Sequence, residues 1–223
     1  MKRIITLVLS LLLLVSLVGC GNDSGSKTVS ETAFKNLEIK EFKWYVSNGY
    51  LKYLIVLHNP NDDYMVEYPG YRITAKDSND VLLGTEDQTL SKIYPGQDFI
   101  YGSQAFSVEE TPSKVDIEVL PIEDYNIKRI SQKDEFIPLE VINTAERKDG
   151  FMTKFVGEIN NKNNYDIDSA VLICVCKDEK GDLVAVDFEF IDNLKAAGNS
   201  PFEMTYMGED GYSSVEYYAN IWD

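Results

Sequence analysis

The chain repeats itself, and this limits what it can fold into more than any other feature. Leu37-Glu38-Ile39 returns as Leu139-Glu140-Val141, Asn48-Gly49 as Asp149-Gly150, and Asp77 as Asp178, at an offset of 101 to 102 residues. The polar run HNPNDDY (58–64) lies over NNKNNY (160–165), and Pro95-Gly96 over Ala197-Gly198, with Phe99 near Phe202. Weak identity at a steady spacing, with turn signals in step, marks a duplicated module. The repeat predicts two domains, 31–121 and 134–223, joined by a linker over 122–133.

Each module reads as all-β. Asn48-Gly49 and Asp149-Gly150 are hairpin signals, because a type I′ turn needs positive φ at both central residues. Phe42, Trp44 and Val46 alternate with Lys43, Tyr45 and Ser47 before the first turn. After it, LKYLIVLHN is apolar on both faces, as expected of a central strand in a sandwich. YRITAKD, VLLGTEDQ, DFIYGSQAFSV and KVDIEVL predict further strands, and SAVLICVCKD, DLVAVDFEFI, SPFEMTYM and SVEYYANIW are their counterparts. Short strands broken by turns, without an amphipathic helix, predict two tandem immunoglobulin-like β-sandwich domains.

The second module also resembles the FxLYD-type domains of bacterial secreted proteins and lipoproteins. Gly157 and Asn161 stand at the family's Gly-x-x-x-Asn start, Cys174-Val175-Cys176-Lys177-Asp178 falls on its naming motif, and Gly181, Gly198, Pro201 and Phe202 follow. The departures are Cys174, Cys176 and Lys177 for the motif's Phe, Leu and Tyr, and Ala197 for its late Pro. The first module departs further, with Ile73-Thr74-Ala75-Lys76-Asp77 in that place. The resemblance implies the fold; it brings no enzymatic activity and no catalytic residues.

Cys174 and Cys176 stand at i and i+2. In an extended strand their Cα atoms are about 6.5–7 Å apart, at or beyond the usual disulfide limit. They occupy the places of Ile73 and Ala75, inward apolar positions, and free Cys packs as a small hydrophobe. A structural zinc site needs four N or S ligands, and the single histidine, His58, lies in the other module. A Cu(I) site drawing on Met204 and Met207 would suit soft sulfur ligands. The core reading is preferred, with no metal and no cofactor.

The N-terminus, MKRIITLVLSLLLLVSLVGC, is a secretory signal: Lys2 and Arg3, an apolar run of about 15 residues, then a small residue at the cut. The run is short of the roughly 20 residues a spanning helix needs. Leu17-Val18-Gly19-Cys20 resembles the lipobox of bacterial lipoproteins, which implies a signal peptide over 1–19 and a lipidated Cys20 as the first mature residue. Residues 20–30, nearly devoid of apolar side chains, form the tether. Such a stretch of about ten residues reaches roughly 16–19 Å.

Without Lys2 and Arg3, 19 basic residues stand against 37 acidic ones, a formal charge of −18. That surface repels nucleic acid and anionic polymers, and leaves cationic partners allowed. The acidic groups Asp62 and Asp63, Asp166 and Asp168, and Asp178, Glu179 and Asp182 lack EF-hand spacing and read as solvated turn residues. Tyr45, Tyr50, Tyr53, Tyr64 and Tyr68 are the densest aromatic group and raise sugar stacking, although tyrosine is also a common strand residue. A catalytic His58 would lack any surrounding hydrolase motif.

The expected function is a lipid-anchored, extracytoplasmic, non-catalytic binding or interaction protein of unknown ligand. It would sit at the membrane of a Gram-positive cell and meet a protein or cell-envelope partner. The alternative is a glycan- or solute-binding lipoprotein that delivers a ligand to a transporter or enzyme. Such receptors usually carry α/β lobes, which neither module predicts.

Overall fold

The computed structural model describes residues 33–130, 136–149, 152–206 and 211–223. The expected signal segment, Cys20 and its tether, and residues 131–133 of the expected linker lie outside the described residues. From Phe34 to Asp223 the chain is one compact unit, and it is all-β.

The first repeat contributes β1 (Glu38–Ser47), β2 (Tyr50–His58), β3 (Tyr64–Glu67), β4 (Gly70–Lys76), β5 (Leu82–Thr89), β6 (Lys92–Ile93), β7 (Asp98–Ser107) and β8 (Lys114–Val119). The expected linker contributes β9 (Ile127–Arg129), after a single 3-10 turn at Asp124–Asn126. The second repeat contributes β10 (Glu140–Asp149), β11 (Met152–Asn161), β12 (Ile167–Lys177), β13 (Leu183–Leu194), β14 (Gly198–Tyr206) and β15 (Ser214–Ile221). They form five three-stranded sheets, ordered β1-β2-β7, β5-β4-β8, β6-β3-β9, β10-β11-β14 and β13-β12-β15, with antiparallel pairing throughout. Two sheets therefore recur, β1-β2-β7 as β10-β11-β14 and β5-β4-β8 as β13-β12-β15. Among the described residues the sheet β6-β3-β9 has no separate counterpart: Tyr68, at φ 50, breaks the strand that runs unbroken as β12 in the second repeat.

The first hairpin turn matches its sequence signal, and in the second the pairing makes Asp149 the last strand residue rather than a turn residue. Asn48 and Gly49 both have positive φ, 52 and 76, and join β1 to β2 with Ser47 opposite Tyr50. In the second repeat Asp149 pairs with Met152, and the residues between them lie outside the described ones.

The duplication extends to single hydrogen bonds. Asn59 is fully buried; its Nδ2 donates to the carbonyls of Tyr64 and Ile93, and its Oδ1 accepts the backbone N–H and side-chain amide of Asn61. Asn61 also exchanges bonds with the backbone of Lys35. Asn161 and Asn163 repeat this with Tyr165, Leu194 and the backbone of Ile137. A buried amide must find all its partners within the protein, and these pairs satisfy the carbonyls where the chain leaves each sheet. At the tight turns, Asp77 Oδ1 accepts N–H groups from Asn79 and Val81, and Asp178 Oδ1 those from Lys180 and Asp182.

Strand alternation explains the cores. Leu51, Tyr53, Ile55 and Leu57 of β2 pack with Tyr71, Ile73 and Ala75 of β4 and with Phe99 and Tyr101 of β7. Tyr53 and Tyr71 join hydroxyls at 2.8 Å inside this core. In the second repeat Leu172, Cys174 and Cys176 of β12 pack with Phe155, Ile159, Phe202 and Met204. Both thiols are buried and unbridged, as the core reading expects. The other face of β12, Val171, Ile173 and Val175, is equally buried, but it joins the core of the first repeat. β12 therefore lies between two cores, so apolar residues on both faces mark a strand buried by the neighbouring repeat.

Candidate functional site

The two repeats meet where the outer face of β1-β2-β7 packs on the outer face of β13-β12-β15. Gly102 of β7 allows the approach: a Cβ there would collide with Cγ2 of Val186 and come within 3.0 Å of the Tyr53 carbonyl. Val186 N–H donates to the Tyr45 hydroxyl at 3.0 Å, and burial pushes the Tyr45 phenol up to about 12. Asn220 Nδ2 donates to the Ile100 carbonyl at 2.7 Å, and Trp222 stacks on Tyr101 with centroids 5.5 Å apart. Tyr94 stacks on Phe136 at 4.2 Å beside this seam.

The repeats act as controls for each other. Ile173 and Phe188 are opposite each other in the seam; their counterparts on the exposed face of β5-β4-β8 are Arg72 and Asp87, joined in an ion pair at 2.6 Å. Val175, Val186 and Tyr218 likewise replace Thr74, Thr85 and Glu118. On the other partner, Val56 and Gly102 stand where β10-β11-β14 has Glu158 and Glu203. Lys154 pairs with Glu203 at 2.6 Å on that face. At these positions apolar residues or glycine occupy the two faces that meet, and polar or charged residues occupy the two that do not. Burying Val171, Ile173, Val175 and Val186 contributes about 1.5–3 kcal/mol each. Together that is comparable with the net stability of a whole domain, about 5–15 kcal/mol.

The seam does not close along its full length. At one end it opens into a groove of about 280 Å³ lined by both repeats. Leu54, Val56 and Ile100 form its apolar floor. On the first repeat's wall Lys40 Nζ reaches Asp98 at 2.6 Å, and His58 Nδ1 lies 2.6 Å from the same carboxylate. Partial burial pushes the Asp98 carboxyl up, but the bonds from Lys40 and His58 outweigh it and hold it below the usual range. On the second repeat's wall Lys177 Nζ meets both oxygens of Glu216, at 2.8 and 2.7 Å, and the Tyr218 hydroxyl donates to Glu216 at 2.6 Å. The Lys177 and Tyr218 bonds hold Glu216 below the ordinary glutamate range; burial, and then the bond to Glu216, push Tyr218 upward. Glu41, paired with Lys43 at 2.8 Å, also lines the groove. A second hollow, about 410 Å³, lies on the charged face around Arg72 and Asp87.

This places most of the residues singled out in the sequence. Cys174 and Cys176 lie on the face of β12 turned away from the seam, and hydrogen bonding to the Cys176 thiol, followed by burial, pushes the Cys174 thiol far up. Met204 shares their core, and Met207 lies outside the described residues. His58, the last residue of β2, is half-buried with its Nδ1 on Asp98. The five tyrosines do not form one surface: Tyr53 is core, Tyr45 spans the seam, Tyr64 packs edge-on against Phe34, and Tyr50 and Tyr68 are exposed. Asp166 pairs with Lys195 and Asp63 with Arg129. No group of three or more metal-ligating side chains occurs among the described residues. Lys177 is the cation that the second repeat brings to the groove. No protein-family model matches the chain, and no curated protein matches it.

Proposed function

We propose that this chain is a non-catalytic binding protein held by a lipidated Cys20 at the extracytoplasmic face of the membrane of a Gram-positive cell. In this reading its two repeats, 31–121 and 134–223, are immunoglobulin-like sandwiches, the second of FxLYD type. Leu17-Val18-Gly19-Cys20 at the end of the apolar run supports the anchor. The observation that carries the binding role is the groove, in which an apolar floor lies under opposed charges from both repeats. Recesses between packed modules are a common place for ligands. A protein or cell-envelope partner is expected. The groove favours, as a second reading, a lipoprotein that hands a small ligand to a transporter or enzyme.

The test is cross-linking on intact cells, with captured species identified by mass spectrometry and the Cys20→Ala form as control. A partner captured by the lipidated form and lost in the control supports the reading. A Cys20→Ala form that stays in the membrane fraction contradicts the anchor.

A further inference from the structure

The groove also constrains its ligand. Resting on the binding-protein reading, we propose that it takes a small aliphatic zwitterion, an amino acid of about leucine size, free or as part of a dipeptide. Three features select this chemistry.

Size comes first. At about 30 Å³ per water, 280 Å³ holds roughly nine waters. That matches the nine heavy atoms of free leucine; in a dipeptide the second residue would extend out of the open groove. The floor comes second. Val56 and Ile100 are only half-buried, and Leu54 lies between them and the seam. An aliphatic side chain seated there would complete the apolar packing that the rest of the seam already has.

Charge comes third. Each wall presents one lysine and one carboxylate, Lys40 with Asp98 and Lys177 with Glu216. The Lys40–Asp98 pair is exposed and worth about 0–1 kcal/mol, so a zwitterion can exchange with it at little cost, while Lys177 is half-buried. When the ligand carboxylate takes a lysine, Asp98 keeps His58 and Glu216 keeps the Tyr218 hydroxyl. When the ligand ammonium takes a carboxylate, no charge is left without a counter-charge. A ligand of one sign would leave one member of a pair uncompensated. On a chain of formal charge −16, this balanced recess is also where an anionic group can approach.

Methyl NMR of the intact, isotope-labelled chain in detergent tests this, with L-leucine and the dipeptide Ala-Leu as separate probes. Leucinamide and isovalerate, which lack the carboxylate and the ammonium respectively, are the controls. The expected result is saturable shifts of the Leu54, Val56 and Ile100 methyls with leucine or Ala-Leu; the tighter probe shows whether the free amino acid or the peptide is preferred. Both controls, and the Lys177→Met variant with leucine, should bind at least about tenfold more weakly. The spectrum of Lys177→Met without ligand shows whether the variant keeps its fold. Two results overturn the proposal: no saturable shift at those methyls up to about 50 mM, a concentration beyond millimolar affinity, or binding of leucinamide as tight as that of leucine. Saturable shifts confined to other methyls would sink the groove while leaving a binding role standing.

Discussion

Ile173→Ala probes the seam from inside. Ile173 belongs to the second repeat by sequence but is fully buried in the core of the first. The substitution removes three carbons, about 2.4 kcal/mol at roughly 0.8 kcal/mol per buried carbon. The cavity left between two backbones that cannot close adds to this, for a total of about 3–4 kcal/mol, inside the range for buried Ile→Ala changes. With an m-value of about 3 kcal/mol per molar urea for a chain of this size, the midpoint falls by about 1 M. Arg72→Ala changes the same position one repeat earlier, on an exposed face, and is expected to cost no more than about 1 kcal/mol. Urea unfolding of both variants, followed by tryptophan fluorescence and circular dichroism, makes the comparison. Equal, small losses would refute the packing argument, since Ile173 would then behave as a surface residue.

Three further outcomes follow from the same structure. Asn59→Ala and Asn161→Ala should be similarly destabilising, by about 2–4 kcal/mol in thermal or urea unfolding, because each leaves buried carbonyls and an N–H without partners; a loss under about 1 kcal/mol in either would contradict the duplicated network. Cys174 and Cys176 should resist alkylation until denaturant is added, since both are buried and Cys174 is held protonated at neutral pH; native labelling within minutes would contradict this. Glu216 has a lowered folded pKa, through Lys177 and then Tyr218, so its contribution is present above the unfolded value of about 4.3 and is lost as pH falls through the folded one. Acid titration of stability should therefore show a shallower loss below pH ~4.5 in Lys177→Met than in the parent; an unchanged slope would remove the pair from the account.

The hairpins, most strands and the buried cysteines are legible in the sequence because each rests on local chemistry. Positive φ at Asn48-Gly49 needs only two residues, and the thiols inherit the inward side of Ile73 and Ala75. The seam is written there too, in the two-faced apolar strands β2 and β12, but periodicity records that a face is buried and not what buries it. The same pattern fits the centre of a sandwich, and the comparison of Ile173 with Arg72 becomes informative only once the faces are known. The Asn59 and Asn61 pair sits in a run that reads as a polar loop. Only its return as Asn161 and Asn163 hints that amides are needed there for buried carbonyls. The groove is less legible still, since Lys40, Asp98, Lys177 and Glu216 come from four strands and meet through register. β9 escapes because three residues of edge strand have no periodicity to read.

The central claim is that two repeats are packed through an apolar seam into one body that holds the groove open between them. Differential scanning calorimetry of the whole chain tests this most directly. At about 0.7 kcal/mol per residue the unit from Phe34 to Asp223 should unfold with about 130 kcal/mol. A single endotherm is expected, with a van't Hoff enthalpy equal to the calorimetric one. Two transitions, or a van't Hoff enthalpy near half the calorimetric value, would show the repeats melting independently and would contradict it.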